Sequence, residues 1–395
     1  MEQTLTDGRA SWKAWLPVVG LTFAAFVFNT SEFIPIGLLT DIANDFHTTE
    51  AHAGLLITVY AWVVALASLP LMLVFSRMEQ RKLLLIMISL FIASHILSSV
   101  STTYVLLMIS RIGVACAHAV FWSIVSPMAV RVAPEEHRST ALSMIVTGTS
   151  IAMIVGLPLG RVIGLAVGWR VTFFYIAVAA LAVFILLSLI FPKMPSRNTV
   201  SVRKLPALVR TPALWGIYVL TTLLVTAHYT GYSYIEPYLG QVAGLSDSWV
   251  TFVLTAFGLI GLLGSYLFSR YYDRHQGMFM RAATIGIAVF LLLLHVSSFN
   301  FYTVVFVCLC WGLSITFYNL VFQSEIIQWA PESTAIAMSI YSGIYNVGIG
   351  GGALIGGIVC THLSMVWIGY VGGVIAIVAA VYCIRKLQPL LRKEE

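Results

Sequence analysis

Long apolar stretches recur along this 395-residue chain, and they restrict its fold more than any other feature. A helix needs about twenty mostly apolar residues to cross a bilayer. The chain is 59% hydrophobic and 10% charged, whereas soluble domains carry about 25% charged residues. It therefore has too few charges to cover a water-facing surface. We predict an all-α membrane protein whose twelve transmembrane helices lie near 15–40, 51–75, 82–100, 103–130, 138–166, 169–191, 212–239, 247–269, 279–298, 301–329, 334–361 and 365–386.

The net charge of +6 is unevenly distributed along the sequence. Arg and Lys collect in cytoplasmic loops, and a cytoplasmic N-terminus would put 19 of the 22 basic residues on that side. The loops of the other side carry Asp41, Asp45, Glu50 and Asp247. We therefore predict that both termini are cytoplasmic. No basic stripe is interleaved with stacking aromatic residues, so the charge does not indicate nucleic-acid binding.

The chain divides into two related halves. The longest polar stretch, 192–212, has five basic residues and no acidic one. The run at 139–156 resembles the run at 333–350, and both follow an Ala-Pro pair. This repetition predicts two six-helix bundles that move about a substrate bound between them near the middle of the membrane. The predicted domains are 1–191, the cytoplasmic linker 192–211, and 212–395.

Glu32 is the one ionisable residue between Leu16 and Leu39. A carboxylate in hydrocarbon is costly, which indicates a proton or substrate site. Arg111 lies at about the same predicted depth, so we expect the two to interact directly or through water. A static ion pair between two helices is the alternative. His118 is two turns deeper and could relay protons or form a helix–helix hydrogen bond; the sequence favours neither.

Amides and aromatic side chains with polar tips are predicted near the middle of the membrane. Such groups suit a small polyhydroxylated ligand, because rings cover its CH faces and amides satisfy its hydroxyls. They could equally be packing or interface residues. The candidate substrate-binding residues are Asn29, Tyr60, His118, His228, Tyr229, Tyr232, Asn319, Gln323, Tyr341, Tyr345 and Asn346.

Gly156, Gly160 and Gly164 recur every four residues in the fifth predicted helix, with Pro158 among them. This spacing puts them on one face, where another helix could approach closely or slide. Two further acids stand near span ends. We expect Glu236 to lie at the membrane interface and Glu325 to reach cytoplasmic water.

Motifs of other protein classes are absent from the sequence. It lacks the phosphate-binding GxxxxGK[ST], HExxH and GxSxG patterns, so neither ATP-driven transport nor these enzyme classes is indicated. The five cysteines show neither a paired framework nor metal spacing. We expect no cofactor, no metal and no enzymatic activity.

Four runs resemble the bacterial sugar efflux transporter group (SotB type) of the major facilitator superfamily. They are TSEFIPIGLL at 30–39, SRIGVACAHAVFWS at 110–123, GLPLGRVIG at 156–164 and AHYTGYSYIEPYL at 227–239. The resemblance implies two pseudo-symmetric six-helix bundles in the bacterial inner membrane. It also implies export of sugars, such as arabinose-like pentoses, lactose or thiogalactosides, in exchange for protons.

The same resemblance assigns expected roles. Arg111 falls on the fourth-helix motif associated with proton coupling. Glu32 and His118 remain proton-coupling candidates on their positions alone. Gly156, Pro158 and Gly160 fall on the fifth-helix motif of antiporters, although Arg161 stands where that motif has a second glycine. In the loop after the second helix, Ser76 replaces an expected Asp and Glu79 an expected Gly.

Two alternatives remain. A proton-driven multidrug or nucleoside exporter of the same superfamily would share most of these features. A membrane-embedded enzyme is disfavoured, because no cluster of a nucleophile with a base is evident. We expect the partners to be the small-molecule substrate, protons and the lipid bilayer, and the protein to be a monomer.

Overall fold

The computed structural model describes residues 12–75, 77–134, 138–195, 211–331 and 334–393, and this part of the chain is helical. The helices are α1 (Trp12–Gly37), α2 (Leu39–Asp45), α3 (Glu50–Phe75), α4 (Gln80–Ser99), α5 (Tyr104–Val132), α6 (Arg138–Ile151), α7 (Leu157–Val167), α8 (Trp169–Ile190), α9 (Pro212–Tyr232), α10 (Ile235–Pro237), α11 (Asp247–Ser297), α12 (Phe301–Trp329), α13 (Thr334–His362), α14 (Ile368–Tyr382) and α15 (Gln388–Lys393).

Eleven helices within these ranges are long and apolar enough to cross a membrane. One of them, α11, has 51 residues and contains a non-helical residue, His275, with φ −137° and ψ 34°. At about 1.5 Å per residue it would be roughly 77 Å long, more than twice the hydrocarbon thickness of about 30 Å. It therefore supplies two crossings joined at His275. The prediction of an all-α fold with twelve crossings is confirmed.

Helices α1–α8 (the N half) pack mainly with one another, as do α9–α15 (the C half). The halves meet most extensively where α3 packs on α13 and also where α7 packs on α11. Trp62 Nε1 donates a hydrogen bond to the Val347 carbonyl, at 3.3 Å. We call the end with Gln80 and Met194 the linker end and the end with Thr40 and Asp247 the distal end. Most of the predicted linker 192–211 lies outside the described residues, so its domain boundaries stay a prediction.

The fifth crossing is irregular at its centre. A π-helical turn, Ala152–Gly156, separates α6 from α7, and Pro158 follows at the start of α7. Proline lacks the N–H that would bond to the carbonyl four residues earlier, so a regular helix cannot pass through this point unchanged. Single π turns of this kind occur frequently at functional sites.

The three glycines singled out in this crossing, Gly156, Gly160 and Gly164, face the first crossing of the same half. A Cβ at Gly156 would meet Thr30 and a Cβ at Gly160 would meet Ile34, both in α1, while a Cβ at Gly164 would meet Leu38, which directly follows α1. Close helix approach is therefore present along the predicted face, and its partner is α1.

The expectation that Glu325 reaches water is wrong, whereas the interfacial position of Glu236 stays a prediction. Glu325 is 4% exposed and accepts a hydrogen bond from the Tyr272 hydroxyl at 2.6 Å, so it does not project into water. Glu236 is 5% exposed because Arg161 and Thr40 surround its carboxylate. Sequence position did not reveal the partners that allow either acid to be buried.

Glu79, at the linker end, caps α4. Its carboxylate accepts hydrogen bonds from the backbone N–H groups of Arg81 and Lys82 and from that of Met194 at 2.6 Å. Burial acts to raise the pKa of Glu79, but these backbone donors and the Arg81 charge together lower it below its usual value. The residue therefore joins the loop after α3 to the chain segment that follows α8. Its neighbour Ser76 lies outside the described residues.

Candidate functional site

A small cavity lies between the two halves. It is lined by Glu32, Phe33, Ile36, Ile57, Tyr60 and Arg111 from the N half, and by Tyr229 and Ile349 from the C half. The cavity has room for about one water molecule. Glu32 therefore faces the boundary between the bundles and not the surrounding lipid.

Pro35 explains how Arg111 is held near this cavity. A proline inside a helix cannot donate to the carbonyl four residues earlier, which here belongs to Ser31. Arg111 Nη2 lies 3.3 Å from that carbonyl and donates to it. A backbone carbonyl that lacks its helical hydrogen bond within the membrane needs another donor. The sequence of α1 thus creates an acceptor, and α5 supplies the donor.

Other contacts fix the orientation of the Arg111 side chain. Its guanidinium lies 4.5 Å from the centroid of the Tyr60 ring, within the range of a cation–π interaction. The Ser31 hydroxyl is 2.7 Å from His95 Nε2 and 3.5 Å from Arg111 Nη1. His95 therefore supports the serine that binds Arg111.

The near neighbour of the Glu32 carboxylate is His118. Oε2 of Glu32 lies 3.6 Å from His118 Nε2, and the two side chains are 13% and 4% exposed. The other ring nitrogen of His118, Nδ1, lies 2.7 Å from the Tyr60 hydroxyl. Glu32, His118 and Tyr60 thus lie in a row of ionisable side chains, and Arg111 lines the cavity beside Glu32.

An aromatic cluster from the C half lies beyond Tyr229. The His228 ring stacks on Tyr232 at a centroid distance of 5.0 Å and meets the edge of Trp311 at 5.2 Å. Within the described part of the chain, His228 Nδ1 and Trp311 Nε1 are buried without a hydrogen-bond partner. Buried polar atoms are rarely left unpaired, so these two nitrogens are candidates for ligand contact. Sequence reasoning missed Trp311, since nothing in its apolar context distinguishes it from a packing residue.

Three predicted residues are brought together on the linker side of Tyr229. Tyr345 lies close enough to Asn319 and Tyr229 to interact with both side chains. Gln323 follows Asn319 by one turn of α12 and is half-buried. Phenol and amide groups therefore continue from the cavity towards the linker end.

The remaining predicted residues are used in helix contacts. Asn29 donates to the Thr149 carbonyl at 3.2 Å, within the N half. Asn346 Nδ2 donates to Ser342 of its own helix at 3.0 Å, while its Oδ1 has no partner among the described residues. Tyr341 lies 3.5 Å from Tyr318, hydroxyl to hydroxyl. Their part in ligand binding stays a prediction.

Comparison with known proteins places this geometry in a wider group. Residues 21–335 match the family described as Major Facilitator Superfamily. A bacterial homologue of the human lysosomal transporter Spinster, in an inward-facing and unoccupied conformation, superimposes with a TM-score of 0.76 at 13% identity, covering 98% of this chain and 99% of that one. The same transporter in an inward-facing, occupied conformation gives a TM-score of 0.73 at 14% identity, covering 93% and 95%.

Proposed function

Since this chain belongs to the Major Facilitator Superfamily, and is therefore a secondary transporter that works by alternating access, we propose that it exports small sugars or sugar-like solutes in exchange for protons. The observation that carries the proposal is the position of Glu32. Its carboxylate lines a cavity to which both halves contribute, so a change in its charge acts at the boundary that alternating access must open and close.

The proton-transfer steps of the cycle use Glu32, His118 and Tyr60. A proton arriving from the distal side binds Glu32 and removes a negative charge between the halves. His118 lies 3.6 Å away and can pass the proton on or share it. The positive charge of Arg111 competes with the proton for the carboxylate, because a cation favours the ionised form. Movement of Arg111 between conformations would then change how firmly the proton is held.

Substrate binding uses the phenol and amide groups on the linker side of the cavity. Tyr345 lies within interaction distance of Tyr229 and Asn319, and a sugar hydroxyl could replace these contacts. The small cavity beside Glu32 suits a proton or a water, so a sugar would bind next to it. The substrate class rests on this chemistry and on the resemblance of 30–39 and 227–239 to the sugar efflux (SotB type) group.

One observation favours a second candidate, export of planar drugs or nucleosides. The rings of His228, Tyr232, Phe257 and Trp311 have centroids within 6.4 Å of one another. Such a cluster can stack on a planar heterocycle as well as on the CH face of a sugar. Its unpaired ring nitrogens could bind either ligand.

We further propose that the protein lies in a bacterial inner membrane, with the linker end and both termini in the cytoplasm. Arg77, Arg81, Lys82, Arg131 and Lys193 lie at the linker end, in agreement with the positive-inside rule. Export then runs from the linker end to the distal end.

Proteoliposomes provide the decisive experiment. Protein is reconstituted with an internal pH indicator, and pentoses, lactose, thiogalactosides, nucleosides and a cationic dye are added in turn. The proposal expects proton movement that depends on a sugar and is absent with protein-free liposomes. Proton movement with nucleosides or dye alone would select the second candidate, and sugar transport without proton movement would exclude the exchange mechanism.

A further inference from the structure

At the distal end, one arginine of the N half is bonded to several groups of the C half. Arg161 in α7 is 1% exposed. Its Nη1 lies 2.9 Å from Glu236 Oε1 and its Nη2 lies 3.0 Å from Asp247 Oδ1. Its Nε donates to the Thr251 hydroxyl at 3.2 Å. All three partners belong to the C half.

Glu236, which belongs to the C half, also binds Thr40 of the N half. Its second oxygen, Oε2, accepts a hydrogen bond from the Thr40 backbone N–H at 3.1 Å and another from the Thr40 hydroxyl at 2.9 Å. Arg161 also donates to the Gly37 carbonyl at the end of α1. The carboxylate and the guanidinium therefore both reach across the boundary, and their hydrogen-bonding capacity is largely used there.

We propose that Thr40, Arg161, Glu236 and Asp247 form a distal latch that holds the two halves together at this end and sets how often the distal side opens. Separation of the halves would leave Arg161 in an apolar helix without its acidic partners, and a buried charge that loses its partner is strongly destabilised. Charge-assisted hydrogen bonds are also stronger than neutral ones. The closed distal side is stabilised as a result. This inference requires alternating access only and is independent of the sugar and proton proposals.

The effect of the latch can be distinguished from that of an ordinary surface ion pair, because the chain offers a matched control. Arg170 and Asp45 form an ion pair of 2.7 Å at the same end, but both belong to the N half. Loss of that pair removes a charge contact without affecting the boundary between the halves. Asp45→Asn is therefore the control for Glu236→Gln.

Spin labels across the distal end report its opening. In full-length protein whose native cysteines are replaced, and which still unfolds at the temperature of the parent, labels are placed at Thr102 and Leu363, which are exposed and lie in different halves. Distances between them are measured by pulsed electron paramagnetic resonance in liposomes. Glu236→Gln should raise the ratio of the long-distance to the short-distance population roughly tenfold, since it removes the charge from a desolvated pair. Asp45→Asn should leave the ratio unchanged.

Asp247→Asn is a second test of the latch, for the case in which Glu236→Gln does not fold. The Asp247 side chain is 72% exposed, so its replacement does not threaten the core, and it should shift the ratio in the same direction by a smaller factor. An unchanged ratio in folded Glu236→Gln overturns the latch. So does an equal shift in Asp45→Asn, and, where Glu236→Gln does not fold, so does an unchanged ratio in Asp247→Asn.

Discussion

At the scale of single residues, a proline decides which partner Glu32 has. Pro35 leaves the Ser31 carbonyl without its helical donor, and Arg111 binds that carbonyl at 3.3 Å. The guanidinium therefore binds the backbone next to Glu32, and His118 is the residue that faces the carboxylate. The equal depths of Glu32 and Arg111 in the sequence predicted that the two residues interact directly or through water, and the structure places both beside one cavity. The depths could not predict this division of contacts, which depends on the position of the proline relative to α5.

Replacement of Glu32 tests its role in proton coupling. Glu32→Gln keeps the shape of the side chain but cannot take up a proton. We therefore expect an imposed pH gradient to drive export at less than about a hundredth of the parent rate, the lower limit for a lost general acid–base group. Export is measured in proteoliposomes with and without the gradient. Asp45→Asn, an acid at the distal surface, serves as the control. Full gradient-driven export by a folded Glu32→Gln protein would rule out the coupling role.

At the scale of helices, the sequence predicted the elements well and their contacts poorly. Apolar runs of about twenty residues predicted the crossings because hydrogen bonding within a helix is the main way to satisfy the backbone in lipid. The four-residue spacing of Gly156, Gly160 and Gly164 predicted close packing. Nothing local identified α1 as the partner, and nothing local revealed that Glu236 is buried by Arg161, since such contacts join residues far apart in the chain.

Two glycines of α13 give a matched test of helix packing. A Cβ at Gly352 would come within 2.6 Å of the Thr226 carbonyl oxygen in α9, whereas a Cβ at Gly343 would have no atom within 4 Å. Backbone cannot move aside cheaply, so Gly352→Ala should destabilise the protein by about 1–3 kcal/mol. Gly343→Ala should be neutral or stabilise it by up to about 1 kcal/mol, as alanine favours helix. Thermal unfolding in detergent compares the two, and equal stabilities would contradict the packing described for α9 and α13.

The cap on α4 predicts a pH-dependent contribution to stability. Backbone donors hold the pKa of Glu79 below its usual value, so the ionised side chain is favoured by folding. Its stabilising effect is complete above the ordinary glutamate pKa of about 4.3 and is lost as the pH falls through the lowered value. Glu79→Gln should therefore cost about 1 kcal/mol at pH 7, as for a lost helix cap.

The difference between Glu79→Gln and the parent should shrink when unfolding is measured at progressively lower pH, below about 4. Glu50→Gln, which changes an acid at the distal end, provides the comparison. A difference that stays constant from pH 7 to pH 3.5 would show that the charge of Glu79 has no part in the cap.

At the scale of the whole molecule, charged groups lie at both ends of an apolar body and differ in what they connect. At the linker end, Glu79 and Arg131 bind the segment after α8, within one half. At the distal end, Arg161 and Glu236 bind across the two halves. Arg161 is the one ionisable residue between 139 and 169. The rule that marks Glu32 as functional also applies to Arg161, so the sequence contained a signal for this contact although not for its partners.

The orientation of this charge distribution can be tested directly. Twelve crossings put both termini on one side, and the basic linker end should face the cytoplasm. Ser248 at the distal end and Lys193 at the linker end are both exposed. In protein without its native cysteines, a membrane-impermeant maleimide should label Ser248→Cys in intact spheroplasts and should label Lys193→Cys only after the membrane is permeabilised. The opposite pattern would reverse the direction of transport and would place the Arg161–Glu236 contact on the cytoplasmic side, where it would control entry of the substrate and not its release.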